Sequence, residues 1–277
     1  MIRRGNLQSE LNQYQVINCI RKRVRLSRPE LVRLTGLSRP TIDKIVDSFK
    51  QQQILTEIGT QSDSSRSGRP AVLLSLDSRS KVVAGIDFEC PEIRVILSDL
   101  QAHVVDCSSR NYDPDTDADT ILRDLAERIW GLLGRNGKSA DQLLGIGIAI
   151  PGIVDVTAGI SVYIERLTRW HDVAIGSYLQ ERFNENVFIE NDVNVMALAE
   201  RNLGNRELPS NLIYVALRHG IGSAVFIDGH LYEGTRGNSG FLFVFQQFTA
   251  FAAIFRGIRI VCPAFCAIHI RLPGRNS

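Results

Sequence analysis

The sequence predicts a winged helix-turn-helix followed by an α/β domain. Two amphipathic segments flank Gly36, the sign of the charge reverses along the chain, and strand and helix patterns alternate after Lys81. In the segment Ser27 to Phe49, SRPELVRLTGLSRPTIDKIVDSF, Leu31 and Val32 give a first helix its inward face. Gly36 stands where a tight inter-helix turn needs positive φ. Ser38 is placed to cap the second helix, with Pro40 in its first turn. Ile42, Ile45 and Val46 recur at spacings of three and four and face a core. Ser38, Arg39, Thr41 and Lys44 then lie at the outer N-terminal end, the part of such a helix that meets base edges and phosphates. A Gly between two helices also suits any helical hairpin, so the flanking segments decide.

Upstream, Leu7, Leu11, Tyr14, Ile17 and Ile20 have helical spacing and predict a third helix. Downstream, Gln52 to Gly59 and Ala71 to Leu76 read as strands around the loop Ser62 to Pro70. That arrangement is a wing, with Arg66 and Arg69 at its tip near phosphate or the minor groove. A Ser- and Gly-containing linker is the plainer alternative.

Charge favours nucleic acid. Residues 1–80 carry 14 basic and 7 acidic side chains, residues 81–233 carry 13 and 23, and residues 234–277 carry 5 and 0. The overall charge of +2 therefore conceals a basic head on an acidic body. Five scattered cysteines, Cys19, Cys90, Cys107, Cys262 and Cys266, fit a reduced, cytoplasmic chain rather than a disulfide scaffold. The N-terminus lacks the apolar run of a signal peptide, and no membrane partner is expected.

The body is assigned to 81–240. Strands are predicted at Val82–Ile86, Ile93–Leu97, Ala102–Val105, Leu143–Ile150, Val187–Glu190, Leu212–Leu217 and Ser223–Ile227. Helices are predicted at Thr116–Leu133, Val173–Phe183 and Val193–Leu203. Alternation of this kind indicates an α/β domain with ligands at Gly-rich strand ends. Three places there suit chemistry. Asp87 ends a strand, where it could face a metal or phosphate or serve a turn. Asn191-Asp192 joins a strand to a helix; the carboxylate could accept a hydroxyl proton, or the pair could cap the helix. Arg218-His219-Gly220-Ile221-Gly222 could offer backbone N–H groups to an anion or be a hairpin turn.

In this order the pieces resemble the ROK family of bacterial sugar-responsive repressors and sugar kinases. LSRPTIDKIVDSF and SGRPAVLLSLD look like its repressor branch. GIGIAIPGIVD (145–155), the Trp170 region and VFIENDVNVMALAE (187–200) look like its sugar-binding half, and IYVALRHGIGSAVFIDGHLYEGTRGNSG (213–240) looks like its second phosphate loop and the run into its sugar and zinc motif. The resemblance implies an actin-like domain of two lobes, with Asn191, Asp192, Gly220 and Gly222 around a sugar or sugar phosphate. It also implies duplex operator DNA as a partner, and a homodimer were the C-terminal region intact.

The departures narrow this. Where the family's kinases wrap ATP phosphate with Gly-Gly-Thr, this chain has Phe88-Glu89-Cys90-Pro91-Glu92. Glycines that permit close approach are replaced, and acidic residues repel phosphate. The second loop reads Arg218-His219-Gly220 in place of Gly-Thr-Gly. Asp192 holds the family's base position, but a base without an ATP site makes no kinase. The expected function is a repressor of carbohydrate genes, with no catalytic residue. A sugar kinase with an accessory head, or an inactive piece of a regulator, are the other readings.

Residues 241–277 form an apolar segment carrying seven of the twelve Phe, and no acidic residue follows Glu233. The family's Glu-x-Gly-His segment and Cys-rich zinc site are missing, so no metal cofactor is expected; Cys262, Cys266 and His269 are not assigned as ligands. The composition predicts a shift of reading frame near 241–242 and an incomplete second lobe, with strands 213–232 left uncovered and prone to aggregate. A divergent tail is the alternative. Sequencing the coding DNA tests this. An alternative frame encoding a Gly-His and Cys-rich continuation is expected, and its absence contradicts the shift.

Overall fold

The computed structural model describes residues 4–61, 70–204, 208–218, 221–234 and 267–271. They fall into two compact units. One comprises Met1–Val83 with Leu97–Asp106 and Leu133–Leu144; the other comprises Ala84–Ile96, Cys107–Leu132 and Gly145–Ser277.

The first unit opens with α1 (Arg4–Arg23), β1 (Leu26–Ser27), α2 (Arg28–Thr35) and α3 (Arg39–Gln51). β2 (Leu55–Gln61) and β3 (Ala71–Leu76) follow, and the three strands pair in the order β1-β3-β2. Gly36 ends α2 at φ +70°, the left-handed region that a side chain resists. Ser27 precedes α2 as its N-cap, and its backbone N–H and hydroxyl both donate to the Glu30 carboxylate, at 2.8 and 2.7 Å. Leu31, Ile42, Ile45, Val46 and Phe49 close the core with Val16, Ile20, Leu26, Leu55, Leu74 and Leu76.

The first helix forms, and Ile17 and Ile20 of the expected stripe meet the core. Leu11 and Tyr14 of that stripe do not: they are exposed, while Val16 and Ile20 are fully buried. Val16 and Ile20, one helical turn apart, lie in the half of α1 that packs against the core. The two-residue β1 has no pattern to announce it; pairing of Leu26 with Leu74 makes it a strand.

A five-stranded sheet, most of whose residues belong to the second unit, has the order β11-β7-β4-β5-β6. Its strands are β4 (Val82–Glu89), β5 (Glu92–Asp99), β6 (Val104–Asn111), β7 (Leu143–Ile150) and β11 (Val187–Asn191). α4 (Ala118–Arg135) lies between β6 and β7 in sequence, and its Ile121, Leu125, Ile129 and Leu132 are fully buried. The strand expected at Ala102–Val105 is displaced to β6. Asp99 accepts from the backbone N–H groups of Gln101 and His103, and Ala102 takes φ +65°, so a turn occupies those residues.

A small antiparallel sheet, unannounced by the sequence pattern, contains β8 (Ile153–Asp155), β9 (Ile160–Tyr163) and β10 (His171–Val173). Trp170 beside it is fully buried, donates to the Ser161 hydroxyl at 2.8 Å and meets the Phe88 ring edge-on at 5.3 Å. α5 (Ile175–Phe183) leads to β11, and α6 (Asp192–Leu203) follows it directly.

A second sheet has the order β14-β13-β12-β15, from β12 (Leu212–Leu217), β13 (Ile221–Ile227), β14 (His230–Leu231) and β15 (Ala267–Arg271). β15 corrects the expectation that β12 is left as an open edge: it runs antiparallel along Leu212 to Ala216, so backbone pairing covers that side. The opposite face packs on α6 through Val193, Ala197, Tyr214, Ala224 and Phe226.

Packing outweighs capping in the first unit. Ile42→Ala is expected to cost about 2–5 kcal/mol and Glu30→Ala about 1 kcal/mol in urea unfolding. Equal costs would contradict this order.

Candidate functional site

On the first unit, Ser38 caps α3: its hydroxyl accepts from the Thr41 backbone N–H at 3.3 Å and lies 2.8 Å from the Thr41 hydroxyl. The two hydroxyls serve the cap and pin the start of the helix. Arg39, with its side chain 81% exposed, and the exposed Lys44 are presented outward; Arg39 has a long 3.9 Å contact with Asp43. Arg66 and Arg69 lie outside the described residues.

Sequence reasoning missed Arg28. From the first position of α2 it donates to Asp43 at 2.9 Å and Asp47 at 2.6 Å, two carboxylates one turn apart on α3. The hydrogen bond from Arg28 holds the Asp47 carboxyl below its usual range. This fork ties α2 to α3 and neutralises two carboxylates on α3. An Arg fifteen and nineteen residues before two Asp has no local pattern to reveal it.

On the second unit, β11 runs parallel to β7 with Asn191 opposite Ile150. The register brings the start of α6 beside the turn after β7. Asn191 is the helix cap. Its side-chain oxygen accepts from Val193 N–H at 3.0 Å, and its amide donates to the Gly152 carbonyl at 3.3 Å. Gly152 is at φ +85°, and a Cβ there would stand 2.2 Å from the Tyr163 carbonyl oxygen, so only glycine fits.

Asp192 opens α6 and accepts from the Val193 N–H at 2.9 Å. Burial pushes its carboxyl up to about 6, and the charge of Asp87 pushes the same way. Glu190 is also raised by burial, although its carboxylate accepts from Asn191 N–H at 2.8 Å and the Asn194 amide at 2.9 Å. Asn194 is 1% exposed, and its side-chain oxygen has no hydrogen-bond partner. Gly222 sits where a Cβ would lie 2.5 Å from a Val193 methyl, which lets α6 close on β13. Gly220 lies outside the described residues.

β4 continues to Glu89. The Glu89 carboxylate pairs with both Arg94 of β5 and Arg218 after β12. Arg94 also reaches Glu92 at 3.1 Å and Asp87 at 3.9 Å. Sequence reasoning noted the acidic residues and missed the arginine that binds them. Among the described residues, no cluster of three or more His, Cys, Asp or Glu is placed to hold a metal ion.

The model of the ROK family matches residues 83–242. The chain belongs to the ROK family. The match ends at the point where the composition changes. The xylose repressor of Bacillus spizizenii is 33% identical over 232 residues, covering 83% of this chain and 59% of the relative. The chain thus spans less than two thirds of that relative's length. Among solved structures, a ROK family transcriptional regulator, a homolog of the Escherichia coli MLC protein, superposes with TM-score 0.65 at 24% identity, over 82% of this chain and 58% of its own. A ROK glucokinase of Streptomyces griseus, solved with glucose and AMPPNP, superposes at TM-score 0.50 and 20% identity, over 57% of this chain and 48% of its own. Both likenesses establish the fold alone. The ROK fold thus carries a kinase in one neighbour and a regulator in another.

Asp192 supplies a pH signature. Its carboxyl lies near 6 in the folded chain against an ordinary 3.8, so the folded state binds the proton more tightly than the unfolded state does. Its contribution to stability is therefore present below about pH 4 and lost as pH rises to about 6. Asp192→Asn is expected to raise stability at pH 7.5 by about 1–3 kcal/mol and to remove that loss. Chemical denaturation at several pH values checks it; an unchanged slope between pH 4 and 6 would contradict it.

Proposed function

We propose that this chain is a DNA-binding transcriptional regulator, a repressor of carbohydrate genes, whose hold on a duplex operator is set by a sugar. The observation that carries the reading is the joining of two parts in one chain. One is a basic helical pair with Arg39 and Lys44 exposed; the other is a ROK body whose first strand ends in ion-paired carboxylates. Identity of 33% to a xylose repressor supports a pentose such as xylose as the effector.

In this reading residues 1–80 are a winged helix-turn-helix. α3 enters the major groove, and the loop bearing Arg66 and Arg69 is the wing. Arg28 holds α3 at its angle and cancels Asp43 and Asp47. Residues 81–240 are the sensing domain. Asp192 and the free amide hydrogen of Asn191 are offered to sugar hydroxyls, and Glu190 with Asn194 stiffens the turn beneath them. Asp192 accepts a hydrogen bond and transfers no proton. A two-fold operator calls for a homodimer, since one head reads one half-site weakly.

Asp192 alone favours the second reading, a sugar kinase, because a carboxyl near 6 suits a general base. Glu89, Glu92 and Arg218 weigh against it, since they stand where a triphosphate needs open glycine backbone.

The test is fluorescence anisotropy of a labelled xylose-gene operator. Binding is expected to weaken steeply with salt, and Arg39→Ala or Lys44→Ala to weaken it about tenfold each, with a salt slope lower by about one per lost phosphate contact. Binding that ignores salt and both substitutions would overturn the proposal.

A further inference from the structure

Two guanidinium groups converge in the second unit from distant parts of the chain. Arg94 comes from β5 and Arg218 from the residue after β12. Like charges so placed need an anion between them. The anion is Glu89: one carboxylate oxygen takes Arg94 and the other takes Arg218. A carboxylate bridging two arginines through separate oxygens reproduces the way such a pair holds a phosphate.

The surroundings decide what the pair does without Glu89. Arg94 would keep Glu92 at 3.1 Å and Asp87 at 3.9 Å. Arg218 would lose its ion partner; its other terminal nitrogen lies 3.9 Å from the Met196 sulfur, a weak acceptor. The side chains of Glu89, Arg94 and Arg218 are 26%, 39% and 34% exposed, so an ion from solvent can reach them. With Glu89 in place the cluster holds three carboxylates against two arginines and repels a further anion. With Glu89 neutralised the balance is even, and one guanidinium is left without an anion.

We propose that Arg94 and Arg218 form an oxyanion site whose resident occupant is the chain's own Glu89. The ligand class it would take is a phosphate-type oxyanion, inorganic phosphate or pyrophosphate, and Glu89 keeps that class out. The absence of a glycine-rich turn is then only half of the change at this place. A built-in carboxylate fills the position and ties the end of β4 to the end of β12. The proposal stands whether or not the chain binds DNA.

The experiment is isothermal titration of the full 277-residue chain and its variants with inorganic pyrophosphate at low salt. Glu89→Gln is expected to bind pyrophosphate at least tenfold more tightly than the unaltered chain. Glu89→Gln combined with Arg218→Ala is expected to return to the unaltered level. Should Glu89→Gln not fold, Glu89→Ala carries the same pair of comparisons, since a methyl group clears the space and adds no hydrogen-bond donor. A neutralised chain that binds no more tightly than the unaltered one overturns the proposal. So does a gain that survives removal of the Arg218 guanidinium.

Discussion

The place where β11 stops governs the candidate ligand site. Its parallel pairing with β7 sets Asn191 opposite Ile150, so α6 starts beside the turn after β7. From that register the rest follows. Asn191 must cap the helix, and its amide ties to the carbonyl of Gly152, a residue whose Cβ would strike the Tyr163 carbonyl. Asp192 must occupy the first helical residue, where burial and the neighbouring Asp87 raise its proton affinity. Gly222 must be small, because α6 lies directly on β13. A one-residue slip would turn Asp192 away from Asp87 and put an uncapped helix end in its place.

Charge is arranged differently in the two units. In the first, acid is cancelled from within: Arg28 holds Asp43 and Asp47, leaving Arg39 and Lys44 to project. In the second, acid predominates, and Asp87, Glu89 and Glu92 gather around Arg94. If α3 meets a polyanion, as proposed, two free carboxylates on its surface would each oppose the attraction that drives association. A site for an uncharged polyol, as proposed for the second unit, has no such need. It can hold carboxylates that accept hydroxyl hydrogens, and burial makes those bonds stronger than they are in water.

Much of this was legible in the sequence. Gly36, Ser38 and Pro40 marked the turn and cap of the helical pair, because φ, capping and the missing proline N–H act within four residues. The strand over Leu143–Ile150 was readable from its unbroken apolar run. What escaped has a common cause. Arg28 with Asp43, Glu89 with Arg218 and β1 with β3 are pairings between segments far apart in the chain, and no local periodicity records them. Leu11 and Tyr14 failed for a related reason: helical spacing was present, but the partner that decides which face is buried lies elsewhere. Gly222 was read as a place for ligand approach, and the fold adds a packing reason for it, since Val193 lies close.

The central claim is that a ROK body with a kinase-like fold works here as a sugar sensor for a DNA-reading head, without nucleotide. Anisotropy of the operator-bound chain during titration with xylose, in the presence and absence of Mg-ATP, tests it most directly. Release of the operator by xylose alone, with a midpoint that ATP does not move, is the result the account predicts. Release that requires ATP, or an operator-bound state that no sugar disturbs, would contradict it.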